Sequence, residues 1–130
     1  MNGGAYEDVA GYVNNGHSNL TTYGSTLVNT AGKYKDVYSK GSRDSNTLNY
    51  EMSTPDRGHY GDAVWETSSQ GNVGNSWYGD YSDFPYNNGA FFCRGGGIAS
   101  TNFNGIFYFC YSEGYYYSSG YGFRVVVPVF

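Results

Sequence analysis

The sequence predicts a single α+β domain with little regular secondary structure, in which short β-strands are connected by long ordered loops. The chain has 130 residues, which is enough for one hydrophobic core. Aromatic residues make up 20% of it and charged residues only 14%, a composition typical of folded rather than disordered chains. Its 20 glycines follow no repeat period, which indicates many tight turns rather than a repetitive array.

Four short segments are predicted to form strands, because they are rich in β-branched and aromatic residues and are bounded by turn residues. They are residues 6–13, 90–94, 105–111 and 123–130, with Pro128 restricting the last to an edge or a strand end. Helix signals are weak, since no window sustains an apolar period of 3.6 residues. The best helical prediction is a short turn within residues 25–38. The Gly- and Asn-rich stretches between strands are expected to be loops that carry function.

The charge pattern argues against two classes of partner. The formal net charge is −4, and after Arg57 the only basic residues are Arg94 and Arg124. Nucleic acids and anionic membranes both require clustered Lys and Arg, so neither is expected as a partner. No apolar run approaches the ~20 residues of a membrane helix, so membrane insertion is not expected either. The first residues lack a signal-peptide pattern. If the protein functions outside a cell, we expect a longer parent protein, cell lysis or a virion to bring it there.

The two halves of the chain differ in chemistry. Residues 1–66 carry most of the charge and every Lys, whereas residues 67–130 carry all eight Phe and more than half of the 16 Tyr. No linker separates them. We therefore interpret residues 1–130 as one domain with two faces of differing role.

Three motifs occur in a characteristic order: Gly-Gly-Ala-Tyr-Glu at residues 3–7, Arg-Gly-Gly at residues 94–96 and Gly-Phe-Arg at residues 122–124. The set resembles the motifs of the formylglycine-generating-enzyme-like branch of the C-type lectin fold. Within that branch the chain resembles variable proteins of diversity-generating retroelements and similar prophage or surface proteins of gut bacteria. The resemblance covers nearly the whole chain and implies a C-type lectin fold. It also implies target recognition outside the cell, at a cell surface or on a virion, with residues 67–130 as the candidate variable, ligand-binding region.

The chain departs from that branch in two ways. Members have a further stretch before the first motif, so either a longer parent chain or an unusually short member is expected. The enzymes of the branch use two cysteines five residues apart, a spacing that Cys93 and Cys110 do not match. No catalytic residue and no cofactor is therefore expected. Two free thiols are the favoured interpretation of these cysteines, and a bridge between them is the alternative.

Segments dense in Tyr, Ser, Asn and Gly separate the predicted core residues. Antibody loops use the same residue types, because Tyr offers a large amphipathic contact at low entropic cost and Ser, Asn and Gly add adaptable polar contacts. The chain is therefore expected to recognise a protein or glycan on a cell surface. The predicted contact residues are Tyr86, Asn87, Asn88, Ile98, Ser100, Asn102, Phe103, Tyr111, Tyr115, Tyr116, Tyr117, Ser118 and Ser119. The alternative is that these aromatic residues pack against one another.

A bias in residue usage favours the same interpretation. From residue 71 onwards there is no Lys, Gln or Met, the only Glu is Glu113 and the only Trp is Trp77. Lys and Glu are among the commonest residues in ordinary proteins. The residues present are largely those reached from Asn codons when adenines are randomised, as retroelements do in the resembling family.

A relic of a formylglycine-generating enzyme and a structural tip domain of a phage or pilus are the alternative functions.

Several residues receive structural predictions. Trp65, Trp77, Phe107, Phe109 and Phe123 are predicted core anchors. Arg94 and Arg124 are predicted to be structural, with partners among Glu7, Asp8, Glu66, Asp80 and Asp83, because a buried guanidinium needs such partners. Asp80 and Asp83 are not expected to form an acid–base pair, nor a calcium site with Asn87 or Asn88, and no metal is expected. His17 and His59 are predicted to lie at the surface.

Overall fold

The computed structural model describes residues 4–53, 63–72, 76–97, 103–115 and 120–122. Within these residues four strands form one mixed sheet: β1 (Glu7–Asn14), β2 (Asp36–Ser39), β3 (Phe91–Arg94) and β4 (Phe109–Ser112). Their spatial order is β2-β1-β3-β4. β1 pairs in parallel with β2 and antiparallel with β3, and β3 pairs antiparallel with β4.

Short helices accompany the sheet, which confirms the predicted α+β class. In the described part of the chain they are α1 (Ser18–Thr22), α2 (Ser25–Asn29), α3 (Asn46–Ser53) and α4 (Ala63–Thr67), with 3-10 turns at Gly32–Tyr34 and Trp77–Gly79. The helical turn predicted within residues 25–38 is present as α2, although that range ends in β2. None of the helices described is long and apolar enough to cross a membrane.

The strand predictions are confirmed for residues 6–13 and 90–94, which contain β1 and β3. The prediction for residues 105–111 is right only in part, because β4 begins at Phe109. Before that point the N–H of Tyr108 donates to the carbonyl of Gly105, and the N–H of Phe107 donates to the carboxylate of Asp80. These bonds form a turn where the sequence predicts a strand. Residues 123–130 lie outside the described residues.

One face of the sheet carries the main hydrophobic core. Side chains alternate between faces along a strand, and those of Val13, Phe92 and Phe109 pack on this face. The remaining members are Tyr38, Val64, Trp65 and Phe84, with Tyr50 at the margin. The ring of Phe84 meets those of Tyr38 and Phe92 edge to face at 5.3 and 5.1 Å. The predicted burial of Trp65 and Phe109 is confirmed.

The opposite face of the sheet is covered in two parts. At one end Tyr12 and Phe91 pack against Leu20 of α1 and the partly buried Leu27 of α2. A Cβ on Gly24 would lie 2.5 Å from the Phe91 ring, so this close approach requires glycine. At the other end no helix of the described chain covers the sheet, and a cluster rich in tyrosine and containing both cysteines takes its place.

Cys93 and Cys110 are joined by a disulfide, so the expectation of two free thiols was wrong. The two residues stand directly opposite each other in the register of β3 and β4, with their Cα atoms 5.1 Å apart. That separation lies within the range that a disulfide spans. The sequence shows two cysteines 17 residues apart, but only the strand register brings their side chains together.

The Arg-Gly-Gly motif ends β3 in a sharp turn. Gly95 and Gly96 adopt φ values of +93° and +63°, in the left-handed region that favours glycine. Arg94 is half-buried, lies opposite Glu7 in the sheet register, and places its guanidinium carbon 5.9 Å from the Phe109 ring centroid. The contact with Phe109 fits a structural role, while a carboxylate partner for Arg94 stays a prediction. Phe123 and Arg124 lie outside the described residues.

Candidate functional site

Five tyrosines and Cys110 line a cleft of about 240 Å³ beside the start of β4. We call it the tyrosine cleft; its tyrosines are Tyr6, Tyr81, Tyr108, Tyr111 and Tyr121. The rings contact one another in pairs. The ring centroid of Tyr6 lies 5.8 Å from that of Tyr108 and 5.2 Å from that of Tyr121, and Tyr81 stacks on Tyr108 at 5.3 Å.

Backbone pairing brings these tyrosines together from distant parts of the chain. The N–H of Tyr6 donates to the carbonyl of Gly120, and the N–H of Gly122 donates to the carbonyl of Tyr6. These two bonds hold Tyr121 beside Tyr6. On the other side, the N–H of Phe109 donates to the carbonyl of Tyr81 at 3.1 Å. The cleft therefore combines the start of β1, the start of β4 and the segments around residues 81 and 121.

Two tyrosines of the cleft, Tyr81 and Tyr108, have a phenol pKa raised above the ordinary value. Burial raises the pKa of Tyr81 well above the ordinary range, and the nearby Asp83 carboxylate, which accepts a hydrogen bond from the Tyr81 hydroxyl at 3.2 Å, raises it further. Burial likewise raises the pKa of Tyr108, and a hydrogen bond with the Tyr6 hydroxyl adds to the shift. The hydroxyl groups of these two residues therefore stay neutral beside the aromatic rings of the cleft.

A tight turn at residues 86–89 borders the cleft. The ring of Tyr86 meets that of Tyr111 edge to face at 5.2 Å, and the N–H of Tyr86 donates to the carbonyl of Gly89 at 2.9 Å. Asn87 adopts φ +49°, a left-handed conformation that Asn tolerates better than most residues. A Cβ on Gly89 would overlap the Tyr111 ring, so glycine is required for this packing.

Asparagine side chains from other parts of the fold hold this turn in place. The amide of Asn15 donates to the carbonyl of Asn87 at 2.6 Å, and the amide of Asn19 donates to the carbonyl of Asn88 at 3.0 Å. The buried Asn49 of α3 donates to the carbonyl of Pro85 at 3.0 Å. The turn is therefore preorganised, although it lies at the surface.

The structure brings together some of the predicted contact residues and separates others. Tyr86, Asn87, Asn88 and Tyr111 form one surface at the tyrosine cleft. Tyr115 is exposed but packs on Tyr23, 5.4 Å between ring centroids, away from the cleft lining. Phe103 is also exposed. The other predicted contacts lie outside the described residues: Ile98, Ser100, Asn102, Tyr116, Tyr117, Ser118 and Ser119.

An exposed aromatic patch, which the sequence did not predict, contains Phe107, the residue before Tyr108 of the cleft. Trp77 and Phe107 were predicted core anchors, but Trp77 is 54% exposed and Phe107 belongs to none of the core clusters, so both predictions were wrong. Phe107 lies 5.4 Å from Trp77 and stacks at 5.8 Å with Tyr78, which is 91% exposed. We define the aromatic patch as these three residues, Trp77, Tyr78 and Phe107.

The backbone at the aromatic patch is conformationally unusual. Tyr78 has φ +62°, a left-handed conformation that is uncommon for a residue with a large side chain. Residues held in such sparsely populated backbone conformations are concentrated at functional sites. A sequence signal for the turn exists in Gly79 and the capping Asp80 that follow, but no local pattern distinguishes an exposed Trp from a buried one.

The carboxylates near both sites are engaged within the protein. Asp80 accepts from the N–H of Phe107 at 2.9 Å, and Asp83 accepts from the amide of Asn46 at 2.9 Å and from Tyr81. Burial raises the pKa of Asp83, and its hydrogen bonds with Asn46 and Tyr81 oppose that shift. Among the described residues no three His, Cys, Asp or Glu are grouped to hold a metal ion.

The two histidines were predicted to lie at the surface. His17 is partly exposed and caps α1, where its Nδ1 accepts from the N–H of Asn19 at 3.2 Å. His59 lies outside the described residues.

A larger cavity of about 700 Å³ opens elsewhere, beside β1, β2 and the 3-10 turn at Gly32–Tyr34. Its lining includes the cationic residues Lys33, Lys35 and Arg94 but none of the predicted contact residues.

Compared with known proteins, the chain matches no family model, no curated protein and no solved structure.

Proposed function

We propose that this chain is a target-recognition domain that binds a protein or glycan on a cell surface, and that it acts by binding and not by catalysis. The observation that carries the proposal is the preorganised surface formed by Tyr86, Asn87 and Asn88 against Tyr111. Hydrogen bonds from the side-chain amides of Asn15 and Asn19 hold this surface at its backbone, while Asn87 is exposed and Tyr86 and Asn88 are partly exposed. A rigid surface of this kind lowers the entropic cost of binding.

The proposal extends to the origin of the surface. We infer that the chain adopts a C-type lectin fold and is a variable protein of a diversity-generating retroelement. We further infer that it is located outside the cell, at a cell surface or on a virion. The resemblance of the motifs at residues 3–7, 94–96 and 122–124 supports this, as does the near-absence of Lys and Glu after residue 71. Comparison of the gene with its template region tests it: differences confined to adenine positions would support the proposal, and their absence would contradict it.

Binding is tested with the purified chain on a panel of gut-bacterial cells and a glycan array. The test variant combines Tyr86→Ala with Asn88→Ala, and thermal melting confirms that it is folded. The matched control is Tyr34→Ala, because Tyr34 is 62% exposed and lies at the 3-10 turn beside the larger cavity. We expect wild type and the control to bind a common target and the double variant to lose it. Equal binding by all three would refute this surface as the contact site.

A further inference from the structure

The tyrosine cleft has an unusual lining. Five tyrosines and Cys110 surround it, and no Lys, Arg, Asp or Glu side chain of the described chain is among the lining residues. The face of an aromatic ring carries negative charge from its quadrupole, whereas the edge is positive. Pairs of these rings are tilted by 50° and 38°, so the walls of the cleft are inclined to one another and not all parallel.

Charge is distributed around the cleft in a way that favours a cation. The Tyr81 hydroxyl donates to the Asp83 carboxylate, which increases electron density on the ring. Side chains alternate between the two faces of β3, and Cys93, which is bonded to the cleft residue Cys110, packs on the same face as Tyr6 and Tyr108. By the same alternation Arg94 lies on the opposite side from Cys93, where it lines the larger cavity with Lys33 and Lys35.

We propose that the tyrosine cleft binds a quaternary ammonium group, such as the trimethylammonium group of choline, through cation–π contacts. This inference deepens the proposed function and rests on it, because the cleft borders the recognition surface through Tyr111. Aromatic rings attract alkylated ammonium ions, which are weakly hydrated and lose little on leaving water. The cleft volume of about 240 Å³ is below the ~300 Å³ at which pockets for drug-sized ligands begin, so a single small group is the expected occupant.

The test compares a cation with its neutral counterpart. Choline chloride and tetramethylammonium chloride are titrated into the full chain at constant ionic strength, and tyrosine ring resonances are followed by NMR. The neutral compound is 3,3-dimethylbutan-1-ol, which replaces the nitrogen of choline by carbon and keeps its shape. We expect both cations to bind and the neutral alcohol to bind roughly tenfold more weakly. Equal binding by the alcohol, or no binding by either cation, would overturn the proposal.

Paired substitutions separate the aromatic contribution from simple packing. Tyr121→Phe keeps the ring and is expected to retain choline binding. Tyr121→Leu keeps an apolar side chain but removes the ring, and choline affinity should fall roughly tenfold. Tyr34→Leu is the matched control outside the cleft. Each variant is first shown by melting to be folded, and Tyr111→Phe with Tyr111→Leu replaces the pair if Tyr121→Leu unfolds. Unchanged affinity in a folded Leu variant would contradict the proposal.

Further binding measurements distinguish the source of the ammonium group and test this inference separately from the proposed function. Phosphocholine and vesicles of phosphatidylcholine are compared, with phosphatidylglycerol vesicles as the control. Binding to the phosphatidylcholine vesicles alone would indicate a lipid headgroup, and binding to free phosphocholine a soluble or glycan-attached group. Cell binding that depends on Tyr86 and Asn88, without any choline binding, would overturn the ammonium inference and leave target recognition standing.

Discussion

The carboxylate of Asp80 accepts a hydrogen bond from the backbone N–H of Phe107 at 2.9 Å. The bond connects the turn that carries Trp77 and Tyr78 to the loop that carries Phe107, so it holds the two parts of the aromatic patch together. The same carboxylate lies against Gly105, where an added Cβ would overlap it. This loop therefore has room for glycine and not for a larger residue.

Removing this connection should destabilise the protein. Asp80 is buried, and Asp80→Ala leaves the N–H of Phe107 without its acceptor, at an expected cost of about 2 kcal/mol in the free energy of unfolding. Denaturant unfolding measures the change. Glu51→Ala, at an exposed position of α3, is the control and should have little effect. A change of the same small size in both variants would show that the bond contributes little.

The Cys93–Cys110 disulfide is expected to stabilise the folded chain. It closes a segment with a sequence separation of 17, and a loop of this length corresponds to about 3 kcal/mol in the chain-entropy model. Replacing both cysteines by serine should lower the melting temperature, and a reducing agent should lower that of wild type but not that of the double variant. A melting temperature of wild type that is insensitive to reductant would argue against this contribution.

Truncation of the two tryptophans should change the free energy of unfolding by very different amounts. Trp65 is 8% exposed and belongs to the main core, so Trp65→Ala should cost about 3–5 kcal/mol. Trp77→Ala should change stability by no more than about 0.5 kcal/mol, because most of that side chain is already in water. Denaturant unfolding of both variants makes the comparison. A large loss in Trp77→Ala would mean that the aromatic patch is part of the core.

The left-handed backbone at Tyr78 predicts that glycine is tolerated there. Glycine adopts φ +62° without the steric penalty of a Cβ, so Tyr78→Gly should unfold at the same denaturant concentration as wild type, or a slightly higher one. Tyr78→Val is the contrasting variant, because a β-branched residue is strongly disfavoured in this region. We expect it to be the less stable of the two. The reverse order would contradict the backbone assignment.

The buried Asp83 gives a pH dependence with a defined sign. Burial raises the pKa of this carboxyl in the folded state, so its contribution to stability is complete below the unfolded-state pKa of about 3.9. That contribution is lost as the pH rises through the folded-state pKa. Asp83→Asn does not titrate. Its melting temperature relative to wild type should therefore be higher at pH 7 than at pH 4, and the opposite trend would show that hydrogen bonds from Asn46 and Tyr81 outweigh burial.

The local sequence was sufficient for part of the fold. β1 and β3 lie where β-branched and aromatic residues are concentrated between turn residues, and Trp65 and Phe109 are buried as expected. Helix α3 could not be predicted in this way, because it has no apolar face of the required period. Its buried residues include Asn49, whose side chain forms hydrogen bonds with Gly41, Asp44 and Pro85. The spacing of apolar residues along the sequence does not reveal hydrogen-bond partners of this kind.

By itself the sequence determined the fold class, the tyrosine-rich composition of the second half and the identity of Tyr86, Asn87, Asn88 and Tyr111 as surface candidates. Only the tertiary structure decided that Cys93 bonds to Cys110 and that Trp77 is exposed. It also decided that Tyr6 meets Tyr108 and Tyr121. The physical reason is that each of these outcomes depends on strand register and on bonds between residues far apart in the chain. Composition and local periodicity report burial preferences, but they do not report which distant residues become neighbours.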